Sequence, residues 1–332
     1  MRRSGRWVAV GRLAVAVVLA SALGACGSSD EESSNGASGG SAKTTPVKLG
    51  IVEFTGTAPT QLGIDKGIFR KHGIDLTLVP ADNPAAISAQ VLSGQLDMGF
   101  ATTTFLATAA SKGAPLQAIS AVDGLINPEE AVSAIVVKED SPIQSPKDLE
   151  GKKVAVVALG SELDVLLKKV TDEDGGDSSK VQSVQIPFPQ MQAALKAGRV
   201  DAIVTTEPFL TLSKNAGGRV ISEPEVEILP NGSVTAYTAS KQYIGKNADV
   251  VKNFQAAMKE SLDYAKAHQD EALQAVIKVT GLSEKEAEGQ SLGTIYAPTL
   301  DRPSIEKMQD LLLEYKLVPK RVPMSELVLE GA

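Results

Sequence analysis

Acids and hydroxyl residues stand at the ends of several predicted strands, and these side chains could bind a ligand. Glu53 follows one apolar run and Glu207 follows another, so each could accept hydrogen bonds from an amine or a ring N–H. Thr55, Thr102 and Thr103 stand at similar positions and offer hydroxyl groups. Because polar residues where strands give way to loops are often functional, these five residues are candidates for ligand binding.

Two glycines that are each followed by a hydroxyl residue form a second kind of candidate. Gly56 with Thr57, and Gly160 with Ser161, each come after an apolar run and open a predicted helix. The free N–H groups and positive dipole end of a helix suit an oxyanion such as sulfonate or carboxylate. Glu162, however, lies in the first turn of the second helix and could itself satisfy that dipole. Acids beside helix N-termini favour a zwitterion or a neutral polar solute over a simple anion.

Glu207 has two alternative roles that the sequence leaves open. It could face a ligand, or it could cap the helix that is predicted from Phe209 onward. Pro208 cannot donate to a sheet and ends the strand. For Asp97 and Asp201 we expect a structural role, because they stand at strand starts and short Asp side chains commonly fix the turn after a glycine.

The sequence repeats itself at one constant offset. Residues 89–106 read AQVLSGQLDMGFATTTFL, and residues 193–210 read AALKAGRVDAIVTTEPFL. Each copy predicts a helix, a glycine that can end the helix in the left-handed conformation, and a short buried strand. Helices and strands that alternate at this spacing predict an α/β protein of two similar lobes, each with a mostly parallel sheet covered on both faces.

The rest of the chain is predicted to be mainly helical. Asn247 could cap a long helix with one apolar face, and Ser283 with Glu286 has the form of a capping box. Extended stretches at 134–137 and 233–238 lie where the chain could cross between the lobes. The expected divisions are therefore lobe one at 46–138 plus 235–332 and lobe two at 139–234.

The N-terminal residues look like a bacterial lipoprotein signal. Residues 1–25 have a basic head with four arginines and then an uncharged stretch that is too short to span a bilayer. Small residues lead up to Cys26, the only cysteine, in the sequence LGAC, which fits a lipobox. This predicts cleavage before Cys26 and lipid, such as palmitate, on its sulfur. The Gly- and Ser-rich residues 26–45 predict a flexible tether.

The charge of the chain excludes some partners. The formal net charge is −7, and removal of the leader with its arginines would lower it to about −11. Nucleic acids and anionic lipid surfaces both require basic faces on a protein. We therefore expect no nucleic-acid partner, and contact with a membrane only through the lipid anchor.

The sequence offers little for catalysis or for a metal. Its only histidines, His72 and His268, are far apart and have no obvious nucleophile as a partner. A His/Cys metal cluster is excluded if Cys26 is lipidated. The acidic run at 171–177 lacks the glycine and the final Glu of a calcium-binding loop. We expect a protein that is not an enzyme and holds no cofactor or metal.

Five stretches carry a resemblance to a known family. The chain resembles the solute-binding lipoproteins of ABC importers, which have the type II periplasmic-binding-protein fold. The nearest branch binds sulfonates, taurine, nitrate or thiamine-precursor pyrimidines. The matching stretches are GIDKGIFRKHGIDLTLV (63–79), LSGQLDMGF (92–100), SKGAPLQAIS (111–120), SPKDLEGKKVAV (145–156) and ALKAGRVDAIVTTEPF (194–209).

The resemblance implies a clamp whose two lobes close over a small polar solute in a cleft. The closed form would dock on a permease that works with an ATPase, and the protein would be a monomer held at the outer face of the cell membrane. The sulfonate branch often carries an aromatic residue or His after the Gly-Ser pair, where this chain has Glu162, and this argues against sulfonate. A ligand-binding sensor lipoprotein and an enzyme on the same fold are the alternatives.

Overall fold

A computed structural model of the chain describes residues 44–81, 83–123, 125–126, 131–229, 232, 235–287, 294–295 and 299–332. The described residues form one compact unit. Within these ranges, no helix combines the length and the apolar character needed to cross a membrane. The leader, Cys26 and nearly all of the predicted tether lie outside the described residues.

Strands and helices alternate through the first two thirds of the chain, and helices dominate the last third. The strands of the described residues are β1 (Thr45–Ile51), β2 (Ile74–Pro80), β3 (Met98–Thr102), β4 (Leu116–Ala121), β5 (Leu125–Ile126), β6 (Ser133–Lys138), β7 (Lys153–Val156), β8 (Gln182–Gln185), β9 (Ala202–Thr206), β10 (Gly218–Ser222), β11 (Thr235–Ser240) and β12 (Thr294–Ile295). The α-helices are α1 (Ala58–Asp65), α2 (Ile68–Lys71), α3 (Pro84–Ser93), α4 (Thr103–Ser111), α5 (Glu162–Glu173), α6 (Phe188–Lys196), α7 (Phe209–Asn215), α8 (Pro224–Ile228), α9 (Lys241–Lys246), α10 (Ala248–Ala267), α11 (Gln269–Thr280), α12 (Glu284–Ala287), α13 (Arg302–Glu314) and α14 (Met324–Leu327).

Two five-stranded sheets share one plan. The first has the strand order β2-β1-β3-β11-β4, and the second has the order β8-β7-β9-β6-β10. In each sheet the central pairs β1–β3 and β7–β9 are parallel, and so are β1–β2 and β7–β8. One strand of each sheet, β11 or β6, runs antiparallel to both of its neighbours. The predicted α/β class with two similar sheets is confirmed.

The chain passes between the two sheets at β6 and again at β11. The sequence predicts that residues 134–137 lie where the chain crosses between the lobes and assigns them to lobe one, whereas β6 belongs to the second sheet. It is a central strand, paired on both sides and buried over residues 133–137, which explains its apolar run. The predicted boundary after residue 138 is therefore too late for the second sheet. The other lobe limits stay predictions.

The internal repeat has a direct structural counterpart. Strands β3 and β9, which come from the two copies, occupy the same position in their sheets. Asp97 precedes β3 and its carboxylate accepts the backbone N–H of Lys48 at 2.8 Å. Asp201 precedes β9 and accepts the backbone N–H of Lys153, also at 2.8 Å. The structural role that the sequence predicted for both aspartates is confirmed.

Helix ends agree with the predicted caps at most positions. Gly94 ends α3 in the left-handed conformation with φ of 75°, and Ser283 donates its backbone N–H to Glu286 Oε2 at 2.9 Å, as a capping box requires. Asn247 is different, because its side chain makes no cap on α10. Its Nδ2 instead donates to the carbonyl of Tyr243 at 3.1 Å, which satisfies the end of α9.

The C-terminal helices pack on both sheets. Helix α10 buries Phe254, Met258 and Leu262 and lies against α1. Helix α13 packs on α4 beside the first sheet and on α5 beside the second. Just after α13, Tyr315 donates its hydroxyl to Asp172 Oδ2 of α5 at 2.6 Å. The last third of the chain therefore connects the two sheets away from their strands.

Candidate functional site

The carboxyl ends of the parallel strands form one edge in each sheet. In the first sheet β1, β3 and β4 end at this edge and β11 begins there, because Thr235 pairs with Thr102. In the second sheet Ser133, at the start of β6, pairs with Thr206 at the end of β9. Ligands of α/β proteins bind in the crevice outside such ends. These two edges are therefore the candidate site.

The turn that follows β1 is a short 3₁₀ helix over Thr55–Thr57, and all three of its residues are buried. Thr57 is the N-cap residue of α1, as the sequence predicts, but its hydroxyl donates to the carbonyl of Val52 at 2.9 Å and does not cap the helix. Thr55 is 5% exposed, and its hydroxyl has no hydrogen-bond partner among the described residues. Glu53, just before this turn, is exposed.

Thr102 and Thr103 lie at the end of β3 and have different surroundings. Thr102 caps α4, since its hydroxyl accepts the backbone N–H of Phe105 at 3.1 Å. Thr103 is 2% exposed, and within the described part of the chain its hydroxyl has no partner. Of these two candidates, Thr103 has hydrogen-bonding capacity to spare at the edge of the first sheet.

Gly160 and Ser161 form the start of α5 at the edge of the second sheet. Gly160 is left-handed with φ of 69°, and Ser161 caps the helix by accepting the N–H of Asp164 at 3.5 Å. Asp164 returns a bond, because its Oδ2 accepts the Gly160 N–H at 2.8 Å and its Oδ1 accepts the Ser183 hydroxyl at 2.6 Å. Asp164 thus occupies one of the free N–H groups that an oxyanion would use.

Glu207 caps the helix that follows it. The two oxygens of its buried carboxyl accept from Thr211, at 2.8 Å from the hydroxyl and 3.2 Å from the backbone N–H. Burial raises the pKa of Glu207, while the bonds from Thr211 and the charge of Lys214 act against that rise. Of the two roles predicted for Glu207, these hydrogen bonds correspond to the capping of α7. Contact of Glu207 with a ligand stays a prediction.

Three other acids, none of which is among the ligand contacts predicted from the sequence, face the two edges. Asp123 follows β4 and accepts the Thr235 hydroxyl at 2.5 Å. Glu225, on α8, accepts the Ser133 hydroxyl. Glu162 is the first residue of α5 and is 4% exposed. Asp123 follows β4 by two residues and Glu225 follows β10 by three, so the strand-end rule that gave Glu53 and Glu207 could have found both.

These three carboxyls act on one another across the two sheets. The pKa of Glu162 is raised well above its usual 4.5, first by burial and then by the charges of Glu225 and Asp123. Burial also raises the pKa of Glu225, against the bond from Ser133. Since Asp123 lies at the first edge and Glu162 at the second, the two edges face each other.

Gly56, one of the ligand contacts predicted from the sequence, lies against Asp123 of this acidic group. A Cβ at position 56 would lie 2.6 Å from Asp123 Oδ2 and 2.5 Å from the ring of Phe54. Only glycine therefore lets the turn after β1 approach Asp123 so closely. Phe54 in turn packs edge-on against Phe100, with ring centroids 5.2 Å apart.

The chain is similar to binding proteins in both structure and sequence, and to one protein named as an enzyme in sequence. The periplasmic aliphatic sulphonate binding protein SsuA from Escherichia coli matches with a TM-score of 0.72 and 20% identity, over 86% of this chain and 92% of that one. A protein of Bacillus subtilis (strain 168), provisionally named an aliphatic sulfonates-binding protein, is 25% identical over 95% of this chain and 93% of its own. A 4-amino-5-hydroxymethyl-2-methylpyrimidine phosphate synthase of Aspergillus parasiticus is 21% identical over 63% of each chain.

Two sheets of one plan with facing carboxyl edges, together with the likeness to SsuA, define a periplasmic-binding-protein fold. This confirms the fold that the resemblance implied. Residues 55–272 match the family model described as NMT1/THI5 like, and the chain belongs to that family.

Proposed function

We propose that this chain is the extracytoplasmic solute-binding protein of an ABC importer. It captures a small polar solute between the facing edges of the two sheets and delivers it to a permease, working as a monomer. The relatives named as sulfonate-binding proteins support this role. The observation that carries the proposal is the group of polar side chains from both sheets at one crevice, with Asp123 on one side and Glu162 on the other.

The residues proposed to line the solute site come from turns at both edges. Buried hydroxyls that lack a partner, those of Thr55 and Thr103, are the best placed to take a new hydrogen bond. The other proposed contacts are Glu53, Gly56, Thr57, Thr102, Gly160, Ser161 and Glu207.

Thermal unfolding against a panel of solutes tests the proposal. The full chain, purified in mild detergent, is heated with taurine, alkylsulfonates, nitrate, pyrimidines, amino acids or polyamines. A solute at one hundred times its dissociation constant stabilises the native state by about 2.7 kcal/mol, which gives a clear rise in the unfolding midpoint. Thr103→Val should reduce that rise and Thr108→Val, on the same helix, should not. No rise with any solute would argue against a solute-binding role.

We also propose that lipid on Cys26 anchors the protein at the outer face of the membrane, with residues 26–45 as its tether. Cys26→Ala removes the sulfur that would carry the lipid. The variant should then leave the membrane fraction and lose labelling by a palmitate analogue. Retention of the variant in membranes would contradict the anchor.

An enzyme on this fold is the second candidate, because one relative is named a synthase. The histidines of this chain have structural partners instead of a reactive neighbour. His72 Nε2 lies 2.9 Å from Glu260 Oε2, and His268 stacks on Tyr264 with ring centroids 3.9 Å apart. We therefore favour binding without catalysis. Turnover of any solute that stabilises the chain would reverse this preference.

A further inference from the structure

Glu162 is a buried acid that the fold itself does not satisfy. It is 4% exposed, and neither of its carboxyl oxygens accepts a hydrogen bond from a described residue. Burying such a group costs free energy unless it finds a partner. Asp164, two residues along the same helix, already bonds to the free N–H of Gly160, so capping does not account for Glu162.

The acids around Glu162 are held in place by neighbouring hydroxyls. Ser133 donates to Glu225, and Thr235 donates to Asp123. Both hydroxyls stand at the facing edges of their sheets. The carboxyls of Glu225 and Asp123 are thus oriented by the two sheets, and the charges of both act on Glu162.

Two of the buried hydroxyls that lack a partner among the described residues lie at the edge of the first sheet. They belong to Thr55, after β1, and Thr103, after β3. Buried polar groups without a partner are few in native proteins, and each calls for an explanation. Together with Glu162 they indicate that a bound molecule completes the hydrogen bonding at these edges.

We propose that the solute carries a protonated nitrogen, an ammonium or amidinium group, and that Glu162, Glu225 and Asp123 bind it. This inference rests on the proposed function and specifies its substrate class. N–H donors on a cation match the carboxyl oxygens of Glu162, which accept no hydrogen bond from a described residue. Bonds between charged groups are the strongest in proteins. The hydroxyls of Thr55 and Thr103 then serve the uncharged part of the same molecule.

A metal ion fits this group less well than an organic cation does. Among the described residues, no three His, Cys, Asp or Glu side chains converge closely enough to hold a metal ion. A polyatomic cation spans a wider gap and donates along several directions, as an amidinium does with its paired N–H groups.

Binding of such a cation displaces a proton. Without a cation, burial and the charges of Glu225 and Asp123 raise the pKa of Glu162, which favours a proton on its carboxyl. The cation takes over the role of that proton, which then leaves to solvent. Proton release is therefore a signature of this site that binding elsewhere on the surface would not give.

Matched pairs of solutes test the inference on the full chain in mild detergent. The pairs are taurine against isethionate, benzamidine against benzamide, and putrescine against 1,4-butanediol. Thermal unfolding and titration calorimetry, the latter in buffers of different ionisation enthalpy, measure affinity and proton release. We expect the nitrogen-bearing cationic member of at least one pair to bind more tightly than its partner and to release a proton.

Variants at the two ends of one helix complete the test. Glu162→Gln should weaken binding by about tenfold or more and abolish proton release, because it removes one partner of a buried charge pair. Its unfolding midpoint without solute should equal or exceed that of the wild type, which shows that it folds. Glu173→Gln removes an acid from the far end of α5, where 53% of the side chain is exposed, and should leave binding unchanged.

The outcomes separate the inference from the function on which it rests. If uncharged or anionic members bind as tightly as their cationic partners, or if Glu162→Gln binds unchanged, the inference is wrong and solute binding stands. If neither member of any pair binds, the result counts against both.

Discussion

At the level of single residues, Asp97 and Asp201 make equivalent hydrogen bonds in the two sheets. Asp97 and Asp201 each accept a backbone N–H from the neighbouring parallel strand, at the start of β3 and of β9. Because both come from the internal repeat, the sequence predicted one role for the pair, and the structure shows which bond fulfils it. A repeated residue with a backbone partner is a structural residue, and the ligand contacts must lie elsewhere.

Replacing either aspartate by alanine should lower the free energy of unfolding by about 1 kcal/mol, the usual net value of one hydrogen bond. Urea unfolding measures the change, and the two variants should agree. Asp140→Ala, in an exposed turn, is the matched control and should have little effect. A large difference between Asp97→Ala and Asp201→Ala would contradict the equivalence of the two sites.

Glu162 predicts an unusual dependence of stability on pH. Because its pKa is raised in the folded state, the native protein holds more protons than the unfolded chain between the ordinary value of 4.5 and the raised one. In that window the free energy of unfolding falls as the pH rises, by about 1.4 kcal/mol for each unit of pKa shift. The pKa of Asp174 is lowered by hydrogen bonds from Ser145 and Lys147, so its contribution to the free energy of unfolding is lost only as the pH falls below about 3.8.

Glu162→Gln should flatten the pH profile of stability above pH 5 and should stabilise the protein at pH 8. Urea midpoints at several pH values measure this, with Glu173→Gln as the control for the loss of one negative charge. A variant that follows the wild-type profile at every pH would show that Glu162 is charged in the native state throughout.

At the scale of helices and strands, local sequence signals predicted where elements end more reliably than how they join. Gly94 and the Ser283–Glu286 box act within one turn of chain, so the sequence alone reveals them. The place of β6 depends on β9 and β10, which follow it by many residues. Its apolar run is compatible with a crossing segment or a central strand, and only the pairing decides between them.

The contact between α1 and α10 depends on a glycine. A Cβ on Gly63 would lie 2.0 Å from Ser261 Oγ and 2.9 Å from the ring of Phe69. Gly63→Ala should therefore lower the free energy of unfolding by about 1–3 kcal/mol, the usual cost of overpacking, although alanine favours helix formation.

Gly245→Ala is the matched control for this prediction. Position 245 is also helical, but a Cβ there meets nothing within 4 Å. This variant should gain up to about 1 kcal/mol, because alanine is the better helix former. Chemical denaturation of both variants measures the contrast, and equal changes in the two would show that α1 and α10 adjust freely to an added methyl group.

At the scale of the whole molecule, the two sheets are held together at α5 and α13. Tyr315 donates to Asp172, and Lys169 lies 3.2 Å from Glu314. These contacts lie in the C-terminal half of α5, whereas Glu162 of the candidate site is the first residue of that helix. The connection and the site are therefore separate parts of the molecule, and a substitution in one can leave the other intact.

A double-mutant cycle with Tyr315→Phe and Asp172→Asn measures that connection. The two residues share one hydrogen bond, so we expect a coupling energy of about 0.5–1.5 kcal/mol in the free energy of unfolding. Thermal shifts with a bound solute should be similar in all four proteins. A coupling energy of zero would mean that the bond adds no stability between α5 and α13.

The family and the two-sheet plan could be predicted from the sequence because both are recorded in local motifs and in the repeat. The acidic group at the crevice could not. The sequence places Glu162 only at a helix start, and Asp123 and Glu225 come near it only after both sheets have formed. Sequence spacing carries no information on a contact of that kind.

The strand order has a consequence for how the protein is made. All five strands of the second sheet come from one continuous segment, 133–222, whereas the first sheet lacks β11 until residues 235–240 are available. A chain that emerges N-terminus first, from a ribosome or from a translocation channel, can thus complete its second sheet while β3 and β4 still have open edges. Exposed strand edges invite aggregation, so this interval is where the nascent protein most needs protection by a chaperone.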